Sequence, residues 1–90
     1  MHEEALLRDL RRKLVEIGAA EPGTRITRVR VWVGALSHVH ADQLRARWPE
    51  TVDGTPADGS RLEVDGSNDA TDPRASEVVL AEVGVETPGR

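Results

Sequence analysis

The chain has 90 residues with 16 acidic and 12 Lys or Arg side chains, a formal net charge of −4, which suits one small domain and argues against nucleic-acid binding. The absence of cysteine excludes disulfides, iron–sulfur clusters, thiolate zinc sites and cysteine nucleophiles. No apolar run reaches the roughly 20 residues of a membrane-spanning helix and no secretory signal is visible, so we expect a soluble, cytoplasmic protein without membrane partners.

The first half of the chain predicts a helix followed by a strand. Apolar residues recur at helical spacing from Glu3 to about Gly18. Their stripe consists of Leu6, Leu7, Leu10, Leu14 and Ile17. The period changes to two between Arg25 and Val33, which is typical of a strand. We expect one strand face to bury Thr27, Val29, Val31 and Val33. The opposite face then carries Ile26, Arg28, Arg30 and Trp32.

The second half predicts a helix, two strands and a polar loop. The helix has an apolar stripe formed by Ala41, Leu44, Trp48 and Val52. Because Pro49 lies inside this window, we expect the helix to stop or bend near Trp48. A short strand with Leu62 and Val64 follows, and then a polar loop that could be mobile. The last strand, residues 78–85, is expected to bury Val79, Ala81, Val83 and Val85.

These elements predict an α+β fold of two layers. In the order α-β-α-β-β, two amphipathic helices can cover one face of a three-stranded sheet and bury their apolar stripes against it. No repeat and no internal domain boundary is evident, so we expect a single domain.

Three stretches of sequence resemble one known family. Residues 1–3 read Met-His-Glu directly before the first helix, residues 29–37 read VRVWVGALS, and residues 54–64 read GTPADGSRLEV. The HypA/HybF family of nickel metallochaperones is similar in all three: a Met-His-Glu start, a V-R-x-x-x-G-x-L-S strand end, and a G-T-x-A-x-G turn before a second strand. The resemblance covers residues 1 to about 65 and resumes at residues 78–86.

The resemblance implies an activity, partners and a domain plan. It implies carriage of Ni(II) as cargo for a nickel enzyme, as in hydrogenase or urease maturation, with a maturation GTPase and the nickel-enzyme precursor as protein partners. Family members insert a zinc module with two Cys-x-x-Cys pairs between the second and last strands. Here residues 65–77 stand in its place without cysteine or histidine, so we expect no structural zinc. We expect a HypA-like nickel-binding domain over residues 1–86 and a tail over residues 87–90.

The N-terminal residues offer a nitrogen-rich ligand set. The Met1 α-amine, the His2 backbone nitrogen and the His2 imidazole can close two adjacent chelate rings on one metal ion. The Glu3 amide or carboxylate can supply a fourth ligand, although Glu3 could equally be a favourable acid in the first helical turn. Such a set suits Ni(II) or Cu(II), and the resemblance favours nickel. Protons compete for the amine and imidazole, so affinity should fall between about pH 8 and pH 6.

Two other groups of residues are candidates for function. His38 and His40 stand just before the second helix, where they could add a metal ligand or could be exposed loop histidines with His40 near the helix N-cap. Arg28, Arg30 and Trp32 could anchor a protein interface, because Trp and Arg are favoured at such sites. The arginine stems could instead simply pack over Trp32.

No catalytic motif is visible, so we do not expect an enzyme. The chain has no Gly-rich phosphate loop, no H-E-x-x-H and no Ser-His-Asp arrangement. Two functions remain. The first is a metallochaperone that carries Ni(II) at its N-terminus. The second is a non-metal interaction or adaptor module derived from the same family, acting through the sheet face or the first helix.

Overall fold

Two helices and three strands make up the chain between residues 3 and 87, the part that the computed structural model describes. In chain order they are α1 (Glu3–Ala20), β1 (Arg25–Val33), α2 (Ala41–Val52), β2 (Arg61–Gly66) and β3 (Val78–Glu86). The predicted α+β class and the order α-β-α-β-β are confirmed. Neither described helix is long and apolar enough to cross a membrane.

The sheet is mixed, and β1 is its central strand. β2 lies parallel to β1 on one side, and β3 lies antiparallel to it on the other. The parallel pair requires a crossover between β1 and β2, and α2 lies in that connection. Both helices pack on the same face of the sheet, as the amphipathic stripes predicted.

The core fills the layer between the two helices and the sheet. Its buried members are Leu6, Leu7, Leu10, Leu14, Ile26, Val29, Val31, Val33, Leu44, Trp48, Val52 and Ala57. The indole of Trp48 is 3% exposed, and its Nε1 donates a hydrogen bond of 3.1 Å to Ser60 Oγ. This partner matters because a buried indole N–H without an acceptor destabilises a core.

The alternation predicted for β1 is wrong at the start of the strand. The pairing with β3 shifts register between Ile26 and Arg28, which marks a β-bulge. Ile26 is therefore buried at 1% exposure, whereas Thr27 is exposed. From Val29 onward the predicted alternation is confirmed. A single extra residue moves every preceding side chain to the other face.

The core face predicted for β3 is mostly wrong for the same reason. A second register shift, between Arg30 and Val31, leaves Ala81 as the extra residue in β3. The β3 side chains that pack against the core are Val78, Leu80 and Val83. Of the four side chains expected there, Val83 alone takes that place, and Val85 is 49% exposed.

Both helices run further than the sequence suggested. At the end of α1, Gly18 is buried and Ile17 is 37% exposed, so Gly18 takes the last place in the buried stripe of α1 that was expected for Ile17. A Cβ on Gly18 would lie 2.4 Å from Pro56 Cγ, which explains why the smallest residue stands there. α2 continues through Pro49 to Val52, so of the two expectations, a stop or a bend near Trp48, the stop is wrong. Pro49 is exposed, so its ring does not disturb the buried side of the helix.

An arginine of α1 caps the C-terminal end of α2. The Nη1 atom of Arg11 donates to the carbonyl oxygens of Thr51 at 2.8 Å and Asp53 at 2.9 Å. The last carbonyls of a helix have no intrahelical partner and carry partial negative charge, so a guanidinium there both satisfies and neutralises them. This contact joins the two helices where they cross.

The glycine-rich turn after α2 is a structural element. The hydroxyl of Thr55 donates to Val52 O at 2.7 Å and accepts from Ala57 N at 3.0 Å. Pro56 O accepts from Ile26 N at 2.9 Å, which ties the turn to β1. Gly54 has a φ of 76°, in the left-handed region that favours glycine. The residues of this turn that carry the family resemblance therefore stabilise the fold.

Residues 67–77 are attached to the end of β1. Gly34 N donates to Glu77 O at 2.8 Å, and Leu36 N donates to Ala75 O at 2.7 Å. Ala75 is 3% exposed, and a Cβ on Gly34 would lie 2.2 Å from Ala75 O. This segment thus packs closely against the backbone of Gly34 at the end of β1.

Candidate functional site

Of the predicted metal ligands, Glu3 lies within the residues that the structure describes. Met1 and His2 are outside the described residues, and Glu3 is the first residue of α1. The backbone N–H groups of the first helical turn have no intrahelical acceptor, so this end of α1 carries partial positive charge. Glu3 and Glu4 place two carboxylates in that turn, which is a favourable position for acids.

The Glu3 carboxylate is held between the helices. Its Oε1 lies 3.6 Å from Arg47 Nη1, and its side chain is 23% exposed. Its Oε2 is buried and has no hydrogen-bond partner in the described structure. Buried polar atoms are nearly always paired, so this oxygen is an acceptor that could serve a cation.

Arg47 on α2 is a residue that the sequence analysis missed. Besides Glu3, its guanidinium lies 3.9 Å from a carboxylate oxygen of Glu4 and 3.5 Å from one of Glu50. Of these three described partners, Glu50 is the local one, three residues along the same helix, and such a pair is common on helix surfaces. The sequence holds no signal that Arg47 would meet the start of α1, because that contact depends on how the two helices pack.

A shallow cleft of about 310 Å³ lies beside this junction. It runs between α1 and α2 and is lined by Glu4, Leu7, Arg8, Arg11, Arg47, Glu50 and Thr51. Its lining therefore places acidic and basic groups side by side.

The two loop histidines lie beside the start of α2. His40 is the N-cap residue of α2, as expected, and its side chain makes no capping hydrogen bond. His38 is exposed and has a φ of 62°, a left-handed conformation that is uncommon outside glycine. Within residues 3–87, no cluster of three His, Asp or Glu side chains could hold a metal ion. A ligand role for either histidine stays a prediction.

The open face of the sheet carries a network of ion pairs. Pairs of 3.1 to 4.0 Å join Arg28 to Glu63 and Glu82, and Arg30 to Glu63, Asp65 and Glu82. The positive charges of Arg28 and Arg30 are therefore neutralised by acids from both neighbouring strands. The arginine that stacks on Trp32 is Arg74, whose guanidinium carbon lies 5.4 Å from the ring centroid. No sequence pattern pointed to Arg74, because it lies in the segment of residues 67–77.

Two carboxyl groups have a lowered pKa, and neither belongs to the metal-ligand candidates. Hydrogen bonds from Lys13 and then Arg12 lower the pKa of Asp9 on α1. Hydrogen bonds from the side chain and backbone of Thr71 lower the pKa of Asp69. Each carboxylate interacts with near neighbours in the sequence, so both pKa shifts reflect local structure. Neither gives an acid–base pair for catalysis.

Comparison with known proteins identifies the family. The family model described as "Hydrogenase/urease nickel incorporation, metallochaperone, hypA" matches residues 1–72. The chain is also 36% identical, over 64 residues, to the hydrogenase maturation factor HypA of Azorhizobium caulinodans. The chain therefore belongs to the HypA family, and the predicted resemblance is confirmed. The family comprises metallochaperones and not enzymes, in agreement with the sequence prediction.

The match covers most of this chain but less of its relative. The aligned residues are 71% of this chain and 57% of the Azorhizobium protein. The family match ends at residue 72, within the segment that follows β2. The part shared with the family thus contains α1, β1, α2, the glycine-rich turn and β2.

Proposed function

We propose that this chain carries Ni(II) at Met1, His2 and Glu3 and delivers it during maturation of a nickel enzyme. The observation that carries the proposal is the family match, which begins at residue 1 and so includes the Met-His-Glu segment. The described activity of the family is nickel incorporation for hydrogenase and urease. The expected place of this work is the cytoplasm.

The donor chemistry supports a nickel site at this segment. An amine, a backbone nitrogen and an imidazole form a nitrogen set that suits a tetragonal Ni(II) centre. The fourth donor is the amide or the carboxylate of Glu3, and the buried Oε2 without a partner makes the carboxylate a plausible contributor. The site requires the Met1 α-amine to be unmodified, because that amine closes the first chelate ring.

The protein partners follow from the family. We propose a maturation GTPase and a nickel-enzyme precursor as the proteins that meet this chain. We propose that residues 1–86 act as the nickel-binding domain and need no structural zinc, because the chain has no cysteine and residues 67–77 are attached directly to β1.

The test is a calorimetric titration with Ni(II) near neutral pH. Wild type with an unmodified N-terminus is compared with His2→Ala and with His38→Ala, a matched histidine control elsewhere in the chain. We expect wild type and His38→Ala to bind one equivalent at micromolar or better affinity and His2→Ala to lose this binding. Equal binding by wild type and His2→Ala would contradict the proposal.

A second candidate function is a non-metal adaptor module. The observation in its favour is the open sheet face, where Arg28, Arg30 and Trp32 are half-exposed and neither of the two described helices covers them. Under this proposal a partner would contact that face, and His2→Ala would leave partner binding unchanged. A pull-down with the candidate GTPase tests it: charge reversal at Arg28 and Arg30 should abolish capture, and unchanged capture would contradict this use of the face.

A further inference from the structure

Glu3 and Arg47 form an ion pair, but they differ in how many other charged groups each one contacts. Among the described residues, Glu3 pairs with Arg47 alone, at 3.6 Å. Arg47 also has Glu4 at 3.9 Å and Glu50 at 3.5 Å. If the Glu3 carboxylate moved away, the guanidinium would keep two carboxylates beside it. Glu3 can therefore leave without depriving the Arg47 guanidinium of a carboxylate partner.

The Glu3 carboxylate also has an unused acceptor. Its Oε2 is buried and unpaired, while the side chain as a whole is 23% exposed. A buried acceptor without a partner is unfavourable, because it has lost water and gained nothing in return. A cation that coordinates this carboxylate would remove that cost. The carboxylate is one residue away from the proposed ligand His2.

We propose that Arg47 is a positioning residue that competes with bound metal for the Glu3 carboxylate. Without metal, the guanidinium holds the carboxylate against α2. When Ni(II) binds at the N-terminus, the carboxylate leaves Arg47 and joins the metal, and Arg47 stays paired with Glu4 and Glu50. This inference rests on the proposed function and adds a residue that tunes the affinity of its site.

The exchange is feasible because the ion pair is weak. The Arg47 side chain is 39% exposed, and ion pairs at such exposure add little net free energy. Competition for the carboxylate lowers the affinity of the site, which suits a carrier that must give up its cargo.

A purely structural role for Arg47 predicts the opposite sign. If Arg47 served only to hold the first turn of α1 in place, its removal would loosen the proposed ligands and weaken metal binding. Competition predicts tighter binding on removal of the charge, and it predicts that this gain depends on the Glu3 carboxylate. The two roles are therefore separated by the direction of the change.

The experiment is Ni(II) calorimetry on a set of variants. Arg47→Gln is compared with Arg45→Gln, a control on the same helix whose arginine pairs with Asp42 of its own helix. We expect Arg47→Gln to bind Ni(II) about fivefold more tightly than wild type, as the loss of a weak competing ion pair allows. Arg45→Gln should match wild type. In a Glu3→Gln background the gain from Arg47→Gln should fall below about twofold.

The outcomes separate this inference from the proposed function. Weaker binding or no change in Arg47→Gln, while His2→Ala abolishes binding, would overturn the competition and leave the nickel site standing. Equal binding by wild type and His2→Ala, or no binding by wild type, would overturn both. Thermal unfolding checks that each variant folds. If Arg47→Gln fails to fold, Arg47→Ala is the second variant, and it should show the same gain.

Discussion

The two faces of the sheet are built on opposite principles. On the helix side, Val29 and Val31 of β1 are fully buried among the leucines of α1 and the apolar side of α2. On the other side, Arg28 and Arg30 keep 40% and 38% of their side chains exposed and pair with acids of β2 and β3. Apolar burial contributes far more free energy than exposed ion pairs do. The helix side therefore contributes most of the stability of the fold, and the charged face can change at little cost to it.

The largest expected effect comes from a cavity on the helix side. Leu14 of α1 is fully buried, so Leu14→Ala should lower the free energy of unfolding by about 2–5 kcal/mol, through lost burial and the cavity left behind. Urea unfolding followed by circular dichroism measures it. A loss below about 1 kcal/mol would mean that the helix layer is not the main source of stability.

The next effect concerns the contact between β1 and residues 67–77. A Cβ on Gly34 would lie 2.2 Å from Ala75 O, so Gly34→Ala must displace that segment. We expect the substitution to lower the free energy of unfolding by about 1–3 kcal/mol. Gly66→Ala is the matched control, because nothing lies within 4 Å of a Cβ there. Hydrogen exchange at Leu36 N, which donates to Ala75 O, should rise in Gly34→Ala alone. Equal effects of the two substitutions would refute the close contact.

The sequence predicted those parts of the fold that depend on local pattern. The leucine spacing of α1 and the alternation from Val29 onward were enough to give the element order and the two layers. The sequence did not predict that Ile26, and not Thr27, faces the core. The bulge that causes this arises from pairing with β3, and the sequence of β1 itself gives no sign of it.

The candidate site was predictable to a smaller extent. The Met-His-Glu motif is local and could be read directly. The contacts of Arg47 with Glu3 and of Arg74 with Trp32 could not, because each joins segments that are distant in sequence and meet only after the helices and the segment of residues 67–77 have packed. A charged residue on a helix surface gives no local signal of such a partner.

A smaller effect is expected on the charged face. Arg30→Ala removes contacts with Glu63, Asp65 and Glu82 and should cost less than about 1 kcal/mol, because all of these groups are partly exposed. The loss should shrink further in high salt, which screens exposed charges. Urea unfolding at low and high salt measures both. A loss of unfolding free energy as large as that of Leu14→Ala would contradict the inference that the helix side contributes more stability than the charged face.

The smallest effect concerns the segment of residues 67–77. The Thr71 hydroxyl lowers the pKa of Asp69 by bonding to its carboxylate, so Thr71→Ala should raise that pKa toward its ordinary value. A lowered pKa in the folded state means that Asp69 supports folding above its unfolded pKa and loses this support as acid protonates it. Titration of the Asp69 carboxyl by NMR measures the shift, and an unchanged pKa would show that the turn is not formed in solution.

The most direct test of the central claim is to block the α-amine of Met1. Protein with an acetylated N-terminus and protein with an unmodified one are titrated with Ni(II) at the same pH. The N-terminal site predicts one bound equivalent for the unmodified protein and loss of that binding after acetylation, because acetylation removes the basic lone pair of the Met1 amine that closes the first chelate ring. Equal binding by both forms would place the nickel elsewhere and contradict the account.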